Sequence, residues 1–130
     1  MIITRKKAIK LGVWSILIIV ALHSFNGFAC YSSSISDFVY STLVFIGIPL
    51  IPAFISLISK NPLRAIGVCV FFAPWLVFAF YVDCVAPYEG GGASIIYIAV
   101  VLWGTLSSIA GAIIAEVISK LANIQIENNK

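Results

Sequence analysis

The chain has 130 residues, 62% of them hydrophobic and 10% charged, with a formal net charge of +3 and a mean hydropathy of +1.10. A soluble domain carries about 25% charged residues to keep its surface wet, so this composition excludes an ordinary soluble globule and places the chain in the membrane class. The basic excess does not point to nucleic acid, because the eight Lys and Arg residues sit beside the ends of apolar runs; a nucleic-acid binder gathers them on one face with aromatic or polar partners.

Four apolar runs follow one another: about Leu11 to Phe28, Phe38 to Ile58, Ala65 to Val82 and Ile95 to Ile118. Each is near the roughly 20 residues that a helix needs to cross a ~30 Å hydrocarbon layer. Helices are expected because every backbone N–H and C=O must be paired internally where water is absent. A barrel would instead alternate polar and apolar residues in segments of about ten. The expected fold is an all-α integral membrane protein, a four-transmembrane-helix bundle with short loops, forming a single membrane domain over 1–130.

Span one follows Arg5, Lys6, Lys7 and Lys10 and carries His23 and Asn26 in its outer third, beside Ser24. These two form a candidate polar site. No Asp, Glu or Cys stands at ligand spacing from His23, which favours a hydrogen bond inside the bundle over a metal. A basic start, an apolar stretch and Ala29-Cys30 also outline a secretory signal. Phe28 is bulky where such a site has a small or aliphatic residue, so an uncleaved helix is expected.

Span two begins after a serine-rich loop in which Ser34 or Ser36 can cap the helix, and it contains Gly47, Pro49 and Pro52. Proline removes a donor and bends a helix. No ionisable residue lies beside this break, so it reads as a packing bend and not as a transport site. Lys60 and Arg64 separate it from span three, which holds Gly67, Cys69 and Pro74. The following loop, Asp83 to Ser94, contains Gly90, Gly91 and Gly92 but no phosphate-loop pattern and no basic residue, and reads as a flexible turn capped by Ser94. In span four, Gly104, Ser108, Gly111 and Ala115 recur at intervals of four, three and four and share one face. Small residues let helix backbones approach closely, so this is the expected helix-packing face, with a homodimer seam as the alternative. Glu116 and Lys120 stand four residues apart in the favourable order for an interfacial ion pair.

All eight basic residues fall on one side of the four runs, whereas Asp37, Asp83 and Glu89 fall on the other. The positive-inside bias makes the basic side cytoplasmic, with both termini inside. Tyr31, Tyr40, Tyr81, Tyr88 and Tyr97 lie at or near the opposite side, as expected of rings that favour the headgroup layer. Trp14 marks the inner interface, and Trp75 and Trp103 are expected to pack between helices. Cys30 and Cys84 occupy the two outer loops, one in each, and are the disulfide candidate; Cys69 is a thiol inside span three.

No nucleophile with a base, metal set or cofactor motif is present, so neither an enzyme nor a bound cofactor is expected. Small multidrug transporters carry a glutamate in their first helix, and membrane disulfide-exchange enzymes carry paired cysteines; both features are missing here. In size and topology alone, the chain resembles the small immunity proteins that protect bacteria against membrane-acting toxins. That resemblance implies a bacterial inner-membrane protein that contacts the lipid bilayer and recognises another membrane protein or a toxin. The alternative is a small oligomeric transporter or channel subunit, with the span-two bend, His23 and Asn26 lining a path.

Overall fold

The computed structural model describes residues 1–30, 34–85 and 93–128, without the side chains of Cys30, Asp83 and residues 93–97. Strand β1 (Ile2–Thr4) leads into α1 (Arg5–Phe25), which continues as a π-helical turn over Asn26–Cys30. Helix α2 (Ile35–Ser41) passes through a π-turn at Thr42–Ile46 into α3 (Gly47–Ile58). Helix α4 (Arg64–Phe80) also ends in a π-turn, Tyr81–Val85, and is followed by α5 (Ala93–Leu121) and strand β2 (Gln125–Glu127).

Three stretches are long and apolar enough to cross a membrane: Arg5–Ala29, Ile35–Ile58 and Ile98–Leu121. The fourth apolar helix, α4, has 17 residues. Large apolar side chains cover the outside of the bundle, among them Ile18, Leu43, Phe54, Val77, Leu102 and Ile113, each about half or more exposed. In water such a surface would cost about 25 cal/mol per Å²; against lipid chains it costs nothing. Trp103 belongs to this outer surface, with 57% of its area exposed, and does not pack between helices. Its indole faces outward because the inward positions of α5 are taken by Val100, Gly104 and Ser108.

Helix ends follow local capping chemistry. Helix α1 starts six residues before its apolar run because the Thr4 side chain accepts from the Lys7 N–H at 3.4 Å. Three basic residues in that first turn oppose the helix dipole, but Lys6 and Lys7 are exposed and solvated. Ser34 caps α2 by accepting from the Asp37 N–H at 3.3 Å, while its hydroxyl donates to Asp37 Oδ2 at 2.8 Å. Ser94 is not the first residue of the last helix, which is already helical at Ala93. The bend expected at Gly47 and Pro49 is a π-turn: the Gly47 N–H bonds Thr42 O, one residue further back than in an α-helix. Pro49 and Leu50, just beyond it, are buried, so the bend turns apolar side chains into the core.

Helix α4 lies at the centre. Ala65, Val68, Cys69, Phe72, Leu76 and Ala79 are buried along it at three- and four-residue spacing, against Ile16 and Ile19 of α1, Leu50 and Ala53 of α3 and Val100 of α5. Its closest crossing is with α5, at Gly67 and Gly111. A Cβ placed on Gly67 would collide with the Gly111 carbonyl oxygen and lie 2.6 Å from Ala115 Cβ. One placed on Gly111 would meet the Gly67 carbonyl in the same way and Phe71 Cβ at 3.0 Å. Higher up, the Phe72 ring fills the space left by Gly104, 2.7 Å from where a Cβ would stand.

The bundle is not purely helical. Strands β1 and β2 pair in parallel, Ile2 with Gln125, Ile3 with Ile126 and Thr4 with Glu127. Helix α5 ends in a reversal: Asn123 adopts φ +51°, its N–H donates to Lys120 O at 3.1 Å, and the Ile124 N–H donates to Ser119 O at 2.9 Å. This is a Schellman turn with asparagine in the left-handed position, and it points the tail back toward the amino terminus. A two-stranded ribbon is marginal by itself. Here Ile3 is buried and shares an apolar pocket with Leu63, Ile66, Ile118 and Ile124. We expect Asn123→Gly to hold or raise the thermal midpoint in detergent, and Asn123→Val to lower stability by about 1–2 kcal/mol through its disfavoured positive φ.

Candidate functional site

Polar side chains inside the bundle form two networks, one near each end. The one at the end away from the paired terminal strands joins α1, α2 and α4. His23, 1% exposed, stacks on Phe38 with ring centroids 5.5 Å apart, and its Nε2 lies 3.2 Å from Ser41 Oγ. The Ser41 hydroxyl donates to Phe38 O at 3.0 Å. Its oxygen therefore accepts from His23, which assigns the Nε2–H tautomer. His23 Nδ1 is buried and, among the described residues, has no partner. One turn on, Asn26 is buried and donates from Nδ2 to Leu76 O at 3.2 Å, joining α1 to α4. Phe25 against Phe80 (5.5 Å) and Phe28 against Phe38 (4.8 Å) wrap this network in rings.

The other network, at the end that carries the terminal strands, joins the α3–α4 connection and the start of α4 to α5. Glu116 Oε2 accepts from Arg64 Nε at 3.0 Å and from Asn61 Nδ2 at 2.6 Å, while Oε1 lies 3.4 Å from Lys120 Nζ. Lys120 is 76% exposed in its side chain, against 37% for Arg64 and 23% for Glu116, so the pair across helices is the better shielded one. On the same end of the bundle, Arg5 donates from a terminal guanidinium nitrogen to Ile58 O at 3.2 Å and satisfies a carbonyl at the end of α3. Between the two networks, Trp75 Nε1 donates to Ser107 Oγ at 2.8 Å, a further bond from α4 to α5.

The predicted residues divide accordingly. His23 and Asn26 come together with Ser41 and the Leu76 carbonyl. Gly104, Ser108 and Gly111 are buried and Ala115 half-buried, all on the face of α5 turned to α4 and the core; Ser108 Oγ is buried without a partner among the described residues. Glu116 and Lys120 are joined, but Arg64 and Asn61 complete the site. Asn61 and Arg64 stand 55 and 52 residues before Glu116, in the α3–α4 connection and at the start of α4; their expected place on the same side of the apolar runs as Glu116 was the available signal. Cys69 is the free, buried thiol among the described residues. Tyr40 and Tyr81 are exposed. Tyr31, Tyr88, Glu89 and the glycines at 90–92 lie outside the described residues, as does the side chain of Cys30. No group of three or more metal-ligating side chains occurs among the described residues.

The geometry is that of helices tied to one another by polar bonds at three levels, with an apolar exterior. Compared with known protein families, curated proteins and solved structures, the chain finds no match.

Proposed function

We propose that the chain is a non-enzymatic, multi-pass protein of a bacterial inner membrane that acts by binding another membrane-embedded protein. In this reading it gives immunity-type protection against a membrane-acting toxin, or serves as an accessory subunit of a membrane complex. The observation that carries it is the use of the interior polar groups. His23, Asn26, Trp75, Arg64 and Glu116 each bond a neighbouring helix or connection of the same chain. A transport path needs such groups free to solvate a substrate, whereas an interaction protein needs a rigid body with distinctive outer faces.

Four crossings belong to this reading. Helix α4 and its π-turn run from Arg64 to Val85, which brings its length close to the ~20 residues required. Its start is bonded to the inner end of α5 through Glu116, and its far end lies beside Asn26 and Phe25 at the outer end of α1. In this reading both termini are cytoplasmic; the support is that the paired terminal strands share an end of the bundle with Arg5, Arg64 and Lys120, together with the positive-inside bias. The Cys30–Cys84 bridge is part of the proposal, supported by the place of one cysteine in each of the two loops at the opposite end, and it would tie the ends of α1 and α4 together. Alkylation without reductant is expected to label only Cys69 after unfolding; labelling of Cys30 and Cys84 as well would remove the bridge.

The alternative, an oligomeric transporter or channel subunit, draws on His23 Nδ1 and Ser108 Oγ, the buried polar atoms without partners. Reconstitution in liposomes separates the two. The interaction reading expects no flux across ion and drug panels, together with survival of sensitive cells expressing the chain when challenged with membrane-acting toxins. Specific flux that is lost in His23→Ala or Asn26→Ala would overturn it.

A further inference from the structure

Arg64 commits only one of its five donors to Glu116. Among the described residues its two terminal nitrogens have no protein acceptor, and the side chain is 37% exposed. Arg64 lines a pocket of about 230 Å³ together with Ala112, Ile113, Val117 and Glu116, whose carboxylate is already engaged by Arg64, Asn61 and Lys120. Ile113 and Val117 are 60% and 49% exposed, so the pocket lies on the outside of the bundle. It therefore sets a fixed cation beside an apolar wall that continues along α5.

Depth and charge select the occupant. Glu116 precedes the last helical residue, Leu121, by five residues, or about 7–8 Å along the axis. A headgroup layer is roughly 5–8 Å thick, so with the end of α5 at its outer edge the guanidinium would lie within the polar headgroup and glycerol layer. Glu116 is the acid of this cluster and both its oxygens are occupied, whereas Lys120 adds positive charge beside it and Lys60 immediately precedes Asn61 in the chain. A planar fork of N–H donors matches phosphate geometry. A soluble phosphate would make no use of the apolar wall.

We propose that this pocket binds an anionic glycerophospholipid of the leaflet at the basic end. The free Arg64 nitrogens donate to its phosphate oxygens, and the first carbons of an acyl chain lie along Ala112, Ile113 and Val117. The site stands whether or not the chain has a protein partner.

The test uses Ile109→Trp as reporter, a half-exposed position one turn along the same face and outside the pocket. The protein is reconstituted in phosphatidylcholine containing a minor fraction of phosphatidylglycerol, with brominated chains on one lipid or the other at equal mole fraction. Subtracting the signal of the parent tryptophans, the brominated anionic lipid should quench the reporter as if enriched about fivefold, the effect of one basic residue near an anionic surface. In Arg64→Gln with unchanged helicity the excess should vanish. Equal quenching by both lipids overturns the proposal, as does an excess that persists in Arg64→Gln, since that would be general attraction to the basic end. Should Arg64→Gln lose helicity, Ala112→Phe fills the pocket with every charge kept, and an excess surviving it overturns the site. Sodium phosphate replacing chloride at equal ionic strength should leave the excess intact; its loss would make this a simple anion site and overturn the lipid assignment.

Discussion

Replacing Gly111 with leucine is expected to separate α4 from α5 and to abolish the folded bundle. Even a methyl group at this position collides with the Gly67 carbonyl, a backbone atom that cannot rotate away. Overpacking by one or two carbons typically costs about 1–3 kcal/mol, so Gly111→Ala should lower stability by that amount. The clash begins at the leucine Cβ, against the Gly67 backbone and Phe71 Cβ, so the side chain must push the two helices apart at their crossing, which would also break the Trp75–Ser107 bond. The check is the unfolding midpoint in mixed detergent with increasing dodecyl sulfate, read by circular dichroism. Ala110→Leu, one residue away on the exposed face of α5, should leave that midpoint within about 0.5 kcal/mol. Similar midpoints for Gly111→Leu and Ala110→Leu would refute the close crossing.

The second large effect is expected from Glu116→Ala. The carboxylate is the common acceptor of Asn61, Arg64 and Lys120, and removing it takes the acceptor from a partly shielded guanidinium and from the Asn61 amide N–H, whose oxygen still accepts from the Leu63 N–H. Hydrogen bonds to charged groups contribute about 1.5–3 kcal/mol each when shielded. Arg64 is more than one-third exposed, so solvent screening reduces its share. A loss of about 2–3 kcal/mol is expected by the same titration. Lys120→Ala should cost about 0.5 kcal/mol or less, because that side chain is 76% exposed and its pair is a helix-surface one. Equal losses from the two variants would mean that the link across helices contributes nothing and that the pair within α5 carries the interaction.

Those two sites differ in how far they could be read from residue order. The packing face of α5 is periodic, and periodicity is a property of one helix, so Gly104, Ser108, Gly111 and Ala115 could be singled out without knowing their partner. That the partner is Gly67 could not be read, because glycines carry no mark of which other helix they face. Lys120 was legible as a partner of Glu116 because four residues is a local spacing. Arg64 and Asn61 were not, because a contact across more than fifty residues depends on how the helices are arranged.

The same division runs through the molecule. Hydropathy and charge order determine by themselves that this is a membrane-class, mainly helical chain with its basic residues at one end, because burial in lipid and positive-inside bias act on composition and not on contacts. They also place the break near Gly47 and Pro49, since a missing N–H is a local fact. Only the tertiary structure decided that the break is a π-turn, that Trp103 faces outward while Trp75 bonds Ser107, and that α4 is the central helix although it is the shorter apolar one. It alone decided the parallel pairing of Ile2–Thr4 with Gln125–Glu127. Two three-residue strands at opposite ends of a chain have too little pattern to announce themselves; they pair because the helices between them return both ends to one side of the bundle.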